Sequence, residues 1–224
     1  MLLTIVDIGD ELVQEAISIG WQNEPNVELL ANKSVQDIPL ISKTAFVSPA
    51  NSFGYMNGGI DEVYSEDMFP MVEKRVKAAF KIHGQKSLHG RKFLPIGKAV
   101  IVCADDESKC QLIVAPTMWL PQNVSQTQNA YSALYAALTC AHDNGIERLV
   151  VPGLCTGYGM MSYKVAVEQM YAAFLDVRNG KPARYSLQEI VDQQDKTYNR
   201  NVVFYKTKSI VENDNISNVV VVKV

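Results

Sequence analysis

Residues 44–61 read Thr44-Ala45-Phe46-Val47-Ser48-Pro49-Ala50-Asn51-Ser52-Phe53-Gly54-Tyr55-Met56-Asn57-Gly58-Gly59-Ile60-Asp61. Thr44 to Val47 is a short run of β-branched and apolar side chains, which predicts a buried strand. Pro49 lacks a backbone donor, and the glycines beyond it permit a tight turn where a strand would need a continued ladder. In an open α/β sheet, ligands bind outside the carboxyl ends of the strands, where such loops converge.

The segments on either side repeat this alternation. Leu2 to Asp7 predicts a strand, Glu11 to Ile19 a helix with Leu12, Ala16 and Ile19 on one face, and Val27 to Leu30 a second strand. Met68 to Ile82 has apolar residues at helical spacing opposite Lys74, Lys77 and Lys81, the pattern of an amphipathic helix. Ala99–Cys103 and Leu112–Ala115 are continuously apolar, which predicts central strands covered on both faces. A helix from Gln128 to His142 stops near Asn144-Gly145, and the strand Arg148–Val151 opens into a second glycine-rich loop, Pro152-Gly153-Leu154-Cys155-Thr156-Gly157-Tyr158-Gly159. A helix from Tyr163 to Val177 follows, then a possible helix over Ser186–Tyr198 and terminal strands over Val202–Lys206 and Val219–Val224. The order predicts an α/β fold with a largely parallel or mixed sheet between helical layers.

Composition removes several function classes. The chain has 224 residues and a formal net charge of −3, from 21 Lys+Arg against 24 Asp+Glu. That balance disfavours a generic nucleic-acid binder, although nucleic acid stays open as a partner. Four cysteines without a C-x-x-C pair argue against a disulfide scaffold or a structural zinc site, so no metal is expected. No apolar run approaches the roughly 20 residues of a membrane span. The start, Met1-Leu2-Leu3-Thr4-Ile5-Val6-Asp7, has neither basic leader nor cleavage site, so a cytoplasmic location without membrane association is the expectation. One stretch departs from the average: residues 74–98 hold Lys74, Arg75, Lys77, Lys81, Lys86, Arg91, Lys92 and Lys98 and no acid. It reads either as a solvated face or as a guide for an acidic protein or nucleic acid.

Glycine lets successive N–H groups point into one concavity, a geometry that binds anions. Two such loops, each leading towards a helix N-terminus, can grip a diphosphate without lysine. The competing reading makes both loops tight strand-to-helix turns whose glycines serve packing only.

Taken together, the motifs resemble the macrodomain family. Val47-Ser48-Pro49-Ala50-Asn51 with Asn57-Gly58-Gly59-Ile60-Asp61 is similar to its V-N-A-A-N and G-G-G-V-D signature, with Ser48-Pro49 in place of Asn-Ala and Asn57 in place of a glycine. Asp37-Ile38 stands upstream of Ser48 at the spacing of the family's G-D-I turn, with Gln36 in place of its glycine. Leu94-Pro95-Ile96-Gly97-Lys98-Ala99-Val100 is similar to its P-x-G-x-A-V segment, and Thr156-Gly157-Tyr158-Gly159 to its second phosphate loop. The resemblance implies a three-layer α/β/α domain with a mixed sheet. Its core would span residues 35–178, with residues 1–34 an N-terminal strand–helix–strand extension of the same domain and 179–224 a C-terminal extension.

The resemblance also implies function: binding of ADP-ribose, or of an ADP-ribosylated macromolecule, and hydrolysis of an ADP-ribosyl linkage or of ADP-ribose phosphate, with no cofactor. A non-catalytic ADP-ribose reader and a scaffold of the same shape without nucleotide binding stand as alternatives. By position, Asp37 and Ile38 would hold the adenine and Asn51 the distal ribose. Asn57, Gly58, Gly59 and Ile60 would line one side of the diphosphate, and Cys155, Thr156, Gly157, Tyr158 and Gly159 the other. Asp61, with Asn51, would act at the anomeric carbon, where a carboxylate suits a centre developing oxocarbenium character. Read without the family, Asp61 caps a helix, Asp37 closes a turn on its own backbone, and Cys155 is a packed thiol.

Overall fold

Six short segments pair into one sheet: β1 (Leu2–Val6), β2 (Val27–Leu30), β3 (Thr44–Ser48) and, after the hairpin strands β4 (Gln85–Lys86) and β5 (Lys92–Phe93), β6 (Val100–Cys103), β7 (Gln111–Val114) and β8 (Arg148–Val151). The order across it is β2-β1-β8-β3-β7-β6. All neighbours are parallel until β6, which runs antiparallel to β7. The helices are α1 (Glu11–Ser18), the single turn α2 (Ile60–Glu62), α3 (Val72–His83), α4 (Asn129–Asp143), α5 (Tyr163–Arg178) and α6 (Leu187–Tyr198). Two-residue strands β9 (Val202–Val203) and β10 (Val221–Val222) pair separately. This computed structural model describes residues 1–86, 90, 92–198, 202–203 and 221–222, with positions beyond 193 given by their backbone alone. The rest of the expected terminal strands, and Arg91, lie outside the described residues.

Successive side chains of a strand point to opposite faces, and here each face meets its own helical layer. Leu3 and Ile5, Ala45 and Val47, Ile113, and Leu149 and Val151 pack with the buried stripes of α1, α4 and α5. Val6, Phe46, Leu112, Val114 and Val150 pack with α3 and with Tyr64 and Phe69. The result is the three-layer α/β/α arrangement, and β1 and β2 are part of its sheet. No helix among the described residues is long and apolar enough to cross a membrane.

Two expectations need correction. The helix expected from Met68 begins at Val72, because Pro70 disfavours helical geometry at Phe69. The residues before it, Val63–Met68, form a separate π-helical turn in which Phe69 N–H donates to the Tyr64 carbonyl at 2.8 Å. The segment Ala99–Cys103 is also not central: β6 is the sheet edge, and Ile101, Val102 and Cys103 are only half-buried. Its apolar character reflects the helix α3 packed over it, which composition does not distinguish from burial on both sides.

Phe46 in the α3 layer is fully buried, with ring centroids of Tyr64 and Phe69 at 6.1 and 5.8 Å. Phe46→Ala is expected to lower unfolding stability by about 3–5 kcal/mol, measured by urea denaturation.

Candidate functional site

The parallel strands release the chain at one edge of the sheet. There, Asp7 and Ile8 after β1, Lys33 to Val35 after β2, Pro49 to Asn51, Tyr55 and Asn57 to Asp61 after β3, Thr117, Met118 and Pro121 after β7, and Pro152, Gly153 and Cys155 to Gly159 after β8 line a cleft of about 700 Å³. The two glycine-rich loops form facing walls. Among the described residues, the N–H groups of Gly58, Gly59 and Ile60, and those of Thr156, Gly157 and Tyr158, have no acceptor within the protein. They are donors without partners on both sides of one concavity, the requirement for an anion site.

Local constraints hold each wall. Gly59, at φ +61°, precedes the turn α2 and turns the chain in a conformation unsuited to a side chain. A β-carbon on Gly159 would lie 2.4 Å from the Cys155 carbonyl oxygen, so only glycine fits there. The exposed Tyr158 ring lies across Gly58, where a β-carbon would touch it at 3.4 Å, and so spans the two loops.

Asp61 sits at the floor of the cleft, 7% exposed. The Ser48 hydroxyl, from the last residue of β3, donates to its Oδ1 at 2.6 Å. No side chain caps α2, so the capping alternative for Asp61 is not what the structure contains. Burial pushes its carboxyl up to about 7, and the Ser48 hydrogen bond opposes that only in part. Asp61 is therefore near half-protonated at neutral pH, the condition in which one carboxyl can accept or supply a proton. The same charge and burial raise the Tyr64 phenol well above its ordinary value, and its hydroxyl donates to the Val47 carbonyl at 3.2 Å.

Other site residues are placed differently from expectation. Asn51 borders the cleft, but its Oδ1 accepts from the N–H groups of Phe53 and Tyr55, and its Nδ2 donates to the Tyr55 carbonyl at 2.8 Å. It staples the loop. Cys155 borders the cleft with φ +66°, and burial raises its thiol far above the ordinary range, so it is a protonated packing group. Asn57 and Gly159 also line the cleft.

Asp37 and Ile38 do not reach the cleft. Asp37 Oδ2 accepts the Ser34 N–H at 2.8 Å in a reciprocal capping box, and Ile38 is buried in the α3 layer. The expected D-I pair is three residues out of register: Ser34 and Val35 occupy the cleft wall, on a turn that Asp37 holds closed. Asp7 and Ile8 also line the cleft and were not expected there; Lys33 N–H donates to the Asp7 carbonyl, which stitches the ends of β1 and β2 together. Their signal was available, since Asp7-Ile8 directly follows an apolar strand. Thr117, Met118, Pro121 and Tyr163 carried no such signal.

Comparison with known proteins places this geometry. The Macro domain family model matches residues 47–170. An uncharacterized protein of Aeropyrum pernix is 31% identical over 153 residues, 68% of this chain and 74% of that protein. Another, from Aquifex aeolicus, is 28% identical over 130 residues, 58% of this chain and 72% of that protein. Among solved structures, a mutant macrodomain of Oceanobacillus iheyensis with ADPR is similar at a TM-score of 0.51 and 15% identity, covering 72% of this chain and 88% of that one. The macrodomain of the same organism with ADP gives 0.50 and 15% over 72% and 86%. At such identities the structural likeness bears on the fold.

Burial of Asp61 sets a sign for stability. Its carboxyl titrates near 7 when folded, against an ordinary 3.8, so its contribution is fully present below about pH 4 and is lost as the pH rises through 7. Asp61→Asn is expected to melt about 5 °C higher than wild type at pH 8, with the gap closing towards pH 4.5, as read by differential scanning calorimetry.

Proposed function

This chain belongs to the Macro domain family, and from that premise we propose that its cleft binds ADP-ribose or a close derivative and hydrolyses an ADP-ribosyl linkage or ADP-ribose phosphate. The observation that carries the reading is the meeting of two unpaired N–H arrays over one buried carboxylate. A diphosphate between Gly58–Ile60 and Thr156–Tyr158 receives backbone donors from both sides, without lysine. Its adenosine end then lies along Ile8, Ser34, Val35 and Tyr163, and its distal ribose near Asn51, Tyr55 and Asp61.

In that pose Asp61 serves as the base. Ser48 occupies Oδ1, and among the described residues Oδ2 has no protein partner, which leaves it for a water molecule. The carboxylate takes a proton from this water as its oxygen attacks the anomeric carbon, and the bond to the leaving group breaks. Asn51 acts mainly by fixing the loop, and its second amide N–H is left for a ribose hydroxyl.

Two measurements test the proposal. Calorimetric titration with ADP-ribose is expected to give saturable binding, retained in Asp61→Ala; no heat from wild type at millimolar ligand would sink the nucleotide reading. The rate of ADP-ribose release should rise about tenfold per pH unit below pH 7 and level off above it, because the base must be ionised. Wild type that binds without turnover is a reader, and a rate that falls with rising pH makes Asp61 an acid instead.

A further inference from the structure

From the distal-ribose end of the cleft, the molecule presents a basic helix face. Tyr55 lines the cleft, and the Lys77 Nζ lies 5.8 Å from its ring centroid. At 3.6 residues per turn, Lys74, Lys77 and Lys81 fall within about 60° of one another around α3. All three are exposed, while Val76, Ala79 and Phe80 on the other side of the helix are buried. Glu73, which pairs with Lys77 at 2.7 Å, is the one acid on α3. Lys86 and Lys92 continue the exposed charge on the adjoining hairpin.

We propose that this face, Lys74, Lys77 and Lys81 with Tyr55 at its cleft end, is a docking surface for a single-stranded nucleic acid, whose phosphates follow the lysines while a base stacks on Tyr55. Charge complementarity and an aromatic ring beside the lysine row select this occupant, since stacking on an aromatic ring together with a positive track is how single strands are held without sequence preference. An acidic peptide would satisfy the lysines and offer no aromatic face to the exposed Tyr55 ring. That the strand also carries the ADP-ribosyl group entering the cleft rests on the proposed function; the docking surface does not.

The test uses the full chain and a fluorescein-labelled 12-nucleotide oligo-dT, followed by anisotropy from 50 to 200 mM salt, with oligo-U of equal length to compare DNA and RNA. Wild type is expected to bind either strand with salt-dependent affinity. Lys74→Gln/Lys81→Gln should weaken binding at least tenfold at 50 mM salt and lower the log–log salt slope by about 1.4, two phosphate contacts of roughly 0.7 each. Calorimetric binding of free ADP-ribose should be unchanged in this variant. No wild-type binding at 50 mM salt, an unchanged affinity in the variant, or equally tight binding of a labelled poly-glutamate peptide would each overturn the proposal. Failure of wild type to bind ADP-ribose while the oligonucleotide result holds would defeat the enzymatic reading alone.

Discussion

Every residue of β3, Thr44 to Ser48, is buried, and the strand is paired on both sides, with β8 and β7. A strand so enclosed must satisfy each polar group within the protein. Its last side chain is a hydroxyl, and the hydroxyl finds its partner in Asp61, thirteen residues further on. The bond ties the centre of the sheet to the floor of the cleft. Beyond Ser48, Pro49 offers no N–H, but the Thr117 hydroxyl donates to its carbonyl at 2.6 Å and the Thr117 N–H to the Ala50 carbonyl at 3.0 Å, so the exit from β3 is held from β7's side as well. The first loop thus leaves the sheet in a direction fixed by the core.

The cleft combines two electrostatic devices that oppose each other in stability. Unpaired backbone donors attract an anion without any ionised residue, which is why a chain of net charge −3 can present a phosphate site. The carboxyl of Asp61 is a cost: burial resists its ionisation, and only one side-chain hydrogen bond opposes that resistance. A fold selected for stability alone would replace it with a neutral group. A carboxyl that titrates near 7 beside two sets of unpaired N–H donors is the feature on which the proposed hydrolysis rests.

The layers were legible because strands covered on both faces are continuously apolar, as at Ala45–Val47 and Leu149–Val151, whereas burial on each helix follows a period near 3.6. The glycine loops were legible because positive φ and close backbone approach leave few residue choices, as Gly59 and Gly159 show. Asp37 and Ile38 were misplaced for the converse reason. The connection before β3 carries a short turn of its own, Val35–Asp37, whose capping box draws Asp37 back to Ser34, and linear spacing does not encode that. Contacts made across the sheet edge, such as Asp7 beside Lys33, depend on which strands become neighbours, and local pattern does not encode that. Nor could spacing show that the Asn51 amide is consumed by its own loop.

The two walls differ in what holds them, and the difference bears on how a ligand is gripped. The first wall is held by side chains on either side of its unpaired N–H groups: Asn51 closes the 51–55 turn, the Ser65 hydroxyl donates to the Met56 carbonyl at 2.9 Å, and Asp61 is fastened to Ser48. The second is held through three of its own backbone carbonyls. Met161 N–H donates to the Cys155 carbonyl, Met160 N–H to that of Gly157, and Val124 N–H to that of Gly159. Between these points the N–H groups of Thr156 to Tyr158 are unpaired, and a side chain on Gly157 would meet nothing within 4 Å. Asp61 therefore sits on the wall that a side-chain bond fastens to the sheet, whereas the other wall leaves open space around Gly157. For the proposed hydrolysis, that division would keep Asp61 in place on the sheet while the loop that carries Tyr158 follows the ligand.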